Sequence, residues 1–237
     1  MTDRLSEVTN SGSRPLALTL AAALAIVTLL ILALLHVMSP EFRPSWRMVS
    51  EYANGRHGWL LAAMFISWAL SSWLLAYALY PLAATWPAKL GVLFLVIAGV
   101  GEAMAAAFDI NHPLHMHAAI LGMNGLPIAA LLIGISFARA GHWGASRRLT
   151  LWLSQLPWIS VVVMSIAMAL FFTGLSRAGI VITPDSKPLA ELPAGVMAIG
   201  GWANRFLIIS YCLWVIAAAW CLRTRYNHKT AVEKVSA

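Results

Sequence analysis

Charge is scarce in this chain. Only 11% of its 237 residues are Asp, Glu, Lys or Arg, against about a quarter in an ordinary soluble domain, and just nine are acidic. So thin a supply excludes a solvated globular surface. Cysteine is nearly absent too: Cys212 and Cys221 stand nine residues apart in one apolar run. That spacing is about 13 Å along a helix, too far to bridge within it, and leaves no cysteine framework for a metal. There is no Walker or dinucleotide-binding glycine pattern and no internal repeat; the Gly99-x-Gly101 pair falls inside an apolar run and carries no phosphate signal. The formal charge is +7, but no basic run is interleaved with aromatics as a nucleic-acid surface requires, so nucleic acid is not an expected partner.

What fills the chain is apolar. Hydrophobic residues make up 60% and mean hydropathy is +0.77, which implies an integral membrane protein partnered by the lipid bilayer. Runs of about 20 apolar residues suffice to span a bilayer as helices, and six are present. They place spans at about 15–38, 58–82, 86–108, 117–137, 151–175 and 195–222, between polar tails at 1–14 and 223–237. The fold class expected is an all-α membrane protein, a bundle of six transmembrane helices. The first run is too long for the apolar core of a signal peptide, and no small-residue cleavage pattern follows it, so it reads as a retained helix.

Even spans put both termini on one side. That side carries ten Lys and Arg, including Arg139, Arg147, Arg148, Arg223 and Arg225, against five opposite, namely Arg43, Arg47, Arg56, Arg177 and Lys187. Cytoplasmic connections are the ones enriched in Lys and Arg, so the termini are expected in the cytoplasm and the location is a cytoplasmic (inner) membrane. The first, third and fifth connections then face outward together.

Polar residues cluster on that outward side. Ser50 and Glu51 lie in the first connection, within SPEFRPSWRMVSEYA, where residues 45–54 read as a short interfacial helix with Trp46 and Tyr52 at headgroup depth. Asp109, His112, His115 and His117 crowd the third connection with no basic residue among them. Carboxylate plus imidazole at this spacing suits zinc, although Pro113 interrupts a regular helix and a plain wet turn is the competing reading. Glu102 and Asn124 sit deeper in the flanking spans, and Arg205 lies inside the last one. An ionisable group there costs about 3 kcal/mol if unpaired. Counted from Trp86 and Leu222, Glu102 and Arg205 reach a common depth, so an ion pair between them is expected. Ser50, Glu51, Glu102, Asp109, Asn124 and Arg205 form the expected pocket, open to a lipid-like or small-molecule ligand.

The segment LLHVMSPEFRPSWRMVSEYANGRHGWL, the Asp109–His117 turn and the GWANR of the last span resemble a family of bacterial and archaeal membrane proteins known as domain of unknown function 998. The resemblance covers essentially all six spans and implies the six-helix architecture without implying a reaction. A looser similarity is to the membrane hydrolases that include alkaline ceramidases, which place Ser, Asp and three His around zinc; this chain differs in having six spans and no His-x-x-x-His on the last. Three readings follow: a binding or structural role for the outward pocket, a metal-dependent hydrolase of lipid-like substrates with Glu51 or Glu102 as base, and a small transporter built on the Glu102/Arg205 layer.

The charge asymmetry makes orientation testable. Reporters fused after residue 237 or within residues 139–148 are expected to report cytoplasm, and one near Asp185 the outside; the reverse pattern would turn the pocket inward.

Overall fold

A computed structural model describes residues 2–181 and 189–235, with side chains placed over 13–181 and 189–226. The expected loop residues Pro184, Asp185 and Lys187 lie outside the described residues. Seven α-helices follow in order: α1 Thr2–Met38, α2 Gly58–Leu79, α3 Trp86–Ala107, α4 His115–Arg139, α5 Arg147–Leu153, α6 Leu156–Arg177 and α7 Gly200–Val235. Among the described residues no strand occurs, and six helical stretches are long and apolar enough to cross a membrane.

The boundaries follow local chemistry. Thr85 opens α3 by accepting from the Ala88 N–H, and Pro87, lacking an N–H, occupies the first turn where none is needed. Pro127 is accommodated inside α4 without ending it. Pro157 acts otherwise: the expected fifth span is divided at Ser154 and Gln155, with Pro157 in the first turn of α6. Both tails are helical where described. Helix α1 begins at Thr2 and α7 runs on to Val235, past the point where apolar composition stops.

Small residues set the packing. Ser67 and Ser71 on α2 meet α1, Ser67 through Thr28 Oγ1 at 2.9 Å and Ser71 by donating to the Ala21 carbonyl at 2.7 Å. This is the close seam their four-residue spacing predicts. Beside Glu102, α3 and α4 approach closely: a Cβ on Gly101 would lie 2.4 Å from the Gly122 amide nitrogen of α4.

Two ends of the bundle emerge from side-chain partners. Arg14, Leu82, His142 and Arg225 line one cavity, which gathers the start of α1, the α2–α3 and α4–α5 connections and the later part of α7 at the end bearing the termini. At the opposite end Asn111 donates to Asn54 (2.8 Å), joining the third connection to the first. Val49–Asn54 forms a 3₁₀ turn, shorter than the interfacial helix expected over residues 45–54. Its Tyr52 is fully buried in the core instead of facing outward as an interfacial ring.

The tightest contact at that end is at Gly201, where a Cβ would fall 2.3 Å from the Pro44 carbonyl oxygen and 2.7 Å from that of Arg47. Its neighbour Gly200 has nothing nearer than Met168 Sδ at 3.8 Å. Gly201→Ala is therefore expected to cost about 1–3 kcal/mol by overpacking, while Gly200→Ala leaves the melting temperature unchanged or raised. Thermal melts of the two variants in one detergent check the order.

Candidate functional site

Arg205 organises the site. It sits on the second turn of α7, is only 3% exposed, and distributes its guanidinium over three segments. Nε donates to His36 Nε2 at the end of α1 (2.6 Å); Nη1 donates to the carbonyls of Arg47 (2.7 Å) and Gly201 (3.0 Å); Nη2 donates to the Tyr52 hydroxyl (3.1 Å). His36 Nδ1 lies 2.6 Å from the Leu32 carbonyl, which can only accept. The proton is thus on Nδ1, and Nε2 is left bare to receive Arg205.

The surrounding residues complete a rigid frame. Arg47 forms an ion pair with Glu51 (2.7 Å) and donates to the Leu189 carbonyl at 2.5 Å, bringing in the fifth connection. Glu51 also accepts from the Met48 N–H (2.8 Å), so it caps the 3₁₀ turn, a role Ser50 does not fill. Asn204 accepts from the Val49 N–H at 2.8 Å, and the Gly201 N–H donates to the Ser45 carbonyl at 3.1 Å. Thus Gly201, Asn204 and Arg205 of GWANR each grip SPEFRPSWRMVSEYA directly. The two motifs are halves of one contact.

Charge does not balance here. Arg47 and Glu51 cancel, His36 is a neutral acceptor, and among the described residues no carboxylate pairs with Arg205. Among those residues one buried positive charge is left over. Beside it a groove of about 660 Å³ runs between α1 and α7, walled by Leu29, Leu32, Ala33, Phe206 and Ile209, with His36 and Arg205 at its polar end. Trp202 and Ile209 on its rim are 56% and 40% exposed, so the groove opens on the flank of the bundle.

The expected Glu102–Arg205 ion pair is not formed. Glu102 is buried at 3% exposure and accepts from Ser72 of α2 at 2.8 Å. On α7 the groups within electrostatic reach of it are Tyr211 and Cys212, six and seven residues beyond Arg205 and so about 10 Å further along the axis. The depth match failed because it was counted from Leu222, whereas α7 continues to Val235. Glu102 instead belongs to a second buried cluster. Trp68, one turn from Ser72, packs edge-on against Tyr211 at 5.9 Å, and Tyr211 donates to the Met123 carbonyl at 2.5 Å. Among the described residues Glu102 Oε1 and Trp68 Nε1 have no hydrogen-bond partner.

Asn124 is exposed and donates to the Ile120 carbonyl of its own helix, so it does not extend the pocket toward Glu102. The third connection is likewise not assembled around an ion. Asp109 accepts from the Asn111 N–H and His112 from the Leu114 N–H, each closing its own turn, while His115 Nδ1 bonds the Phe108 carbonyl at 2.9 Å. His117 is exposed on the first turn of α4, about 200° round the helix from His115. Among the described residues no three His, Cys, Asp or Glu side chains converge on a metal position. The zinc-site geometry expected for Asp109, His112, His115 and His117 is therefore absent from this arrangement.

The family model described as Protein of unknown function (DUF998) matches residues 19–221, most of the chain. The chain belongs to this family. No curated protein and no solved structure matches it. Membership is in keeping with the motif contact, since residues 39–53 and 201–205 both fall inside the matched region. His36, Arg47, Tyr52 and Asn204, central here, were missed as site residues. Their signal was a pair of motifs with polar residues, one following the first span and one inside the last, of this DUF998 chain.

Since Glu102 and Arg205 share no partner, their substitutions should act independently. A double-mutant cycle of Glu102→Gln and Arg205→Gln, read by thermal or denaturant melts, is expected to give a coupling energy below about 0.5 kcal/mol. Strong coupling would restore the ion pair.

Proposed function

We propose that this multi-pass membrane protein binds an anionic lipid-like amphiphile from the outer side of the cytoplasmic membrane, its acyl portion in the α1/α7 groove and its charged head at Arg205. The observation that carries the reading is a buried guanidinium, lacking a carboxylate partner among the described residues, at the polar end of an apolar groove. A positive charge held in a low-dielectric site favours an anion, and guanidinium matches carboxylate or phosphate better than an ammonium does. The apolar walls favour a chain over water. The role is binding; the ion pair of Arg47 with Glu51 stiffens the frame that holds the head.

Ala33 lies in the groove wall, exposed, and away from the hydrogen bonds of Arg205. Ala33→Trp is expected to fill the groove and to remove at least nine-tenths of a tightly held anionic amphiphile identified by mass spectrometry of extracted lipid, while the protein stays folded and monodisperse in detergent. Leu34→Trp, one residue round the helix and 44% exposed, serves as control and should retain it. Equal lipid in the parent and Ala33→Trp would refute the reading.

A further inference from the structure

The end of the bundle bearing the termini holds a second cavity, of about 970 Å³, unrelated to the α1/α7 groove. Arg14, His142 and Arg225 line it together with Trp143, Trp220 and Tyr226. Among the described side chains its charged lining has one sign. Arg139, Arg147, Arg148 and Arg223 stand at the same end, whereas the acids with described side chains, Glu41, Glu51, Glu102, Asp109 and Glu191, belong to the opposite connections or to α3. Arg14 makes no hydrogen bond or ion pair among the described residues. Arg225 anchors one edge of the cavity through Nη1 to the Gly141 carbonyl, in a turn that Gly141 enters with φ +72° and Gly144 leaves with φ +53°. Trp220 is 66% exposed, an amphipathic ring of the kind enriched where headgroups meet acyl chains.

His142 adds a group that responds to charge. Burial holds its imidazole below the ordinary value, the Arg225 charge acts in the same direction, and its hydrogen bond to the Leu82 backbone opposes both. The ring also packs edge-on against Phe137 at 4.8 Å, which fixes its orientation. With the ring neutral near pH 7, the fixed charges among the described lining residues are the two guanidinium groups. Two guanidinium groups with no counter-acid among the residues whose side chains are described, next to aromatic rings, match a phosphate oxyanion in charge and donor geometry.

We propose that this cavity binds a phosphate-bearing anion, clamped between Arg14 and Arg225 with Trp220 beside its ester substituent. Basic pockets between membrane helices are suited to phospholipid headgroups, and a soluble phosphate ester presents the same chemistry.

The test is native mass spectrometry and melting of the full chain in detergent, with phosphatidylglycerol, phosphatidylcholine or inorganic phosphate added. Parent protein is expected to carry phosphatidylglycerol at least tenfold over phosphatidylcholine, or to be stabilised by millimolar phosphate. The first result identifies a lipid headgroup and the second a soluble phosphate; neither would overturn the site. Arg14→Gln with Arg225→Gln should reduce the response at least tenfold, while Arg139→Gln with Arg148→Gln keeps it. Equal loss in both pairs, or none in the first, would mean diffuse attraction and overturn the site. Should the first pair fail to fold, Ala145→Trp plugs the cavity from its lining and must also abolish binding. Ala33→Trp must retain it, which separates this site from the groove.

Discussion

A guanidinium removed from water must find an acceptor for nearly every N–H it carries, and at Arg205 the acceptors come from α1, the first connection and α7 itself. None of these is a carboxylate. The consequence is mutual: His36, Tyr52 and the Arg47 carbonyl are buried or half-buried polar groups that would be short of a partner without Arg205, each at about 1–3 kcal/mol. The close approach at Gly201 is the geometric condition for the bond to Arg47, because a side chain there would lift the first connection off α7. Arg47 in turn holds the fifth connection through Leu189, so one residue on the last helix fixes the position of two loops.

Much of the fold was legible because a bilayer imposes length and polarity together. Six apolar runs translated into six spanning helices, Pro87 marked a helix start, and Ser67 with Ser71 marked a packing face. Helix ends were less legible, since hydropathy registers where apolar side chains stop, not where the backbone stops being helical. That error carried Arg205 to the wrong depth beside Glu102. Tyr52 was misplaced for a related reason: aromatic residues in polar connections usually lie at the interface, but here the hydroxyl is needed inside by Arg205.

The candidate site was legible in location and not in partnership. Glu51, Glu102 and Arg205 are all at structured positions, but composition cannot say which polar groups face one another across the bundle. The third connection is the clearest case. Four ligand-type residues within nine positions look like a cluster, yet Asp109, His112 and His115 are engaged by the backbone of their own turn and His117 points elsewhere. Short polar side chains near a proline satisfy the local backbone first, because those donors and acceptors are closest.

The bond from Arg205 to the Arg47 carbonyl spans 158 residues of chain, and that to His36 spans 169. At a synthesis rate of about 5–20 residues per second, roughly ten to thirty seconds separate the emergence of the first connection from that of its guanidinium partner. For most of that interval α1 and α2 are already made, while His36, Tyr52 and the backbone of residues 44–49 still lack the group that closes them. Assembly of this bundle thus ends where it began, with the last helix sealing the loop that followed the first.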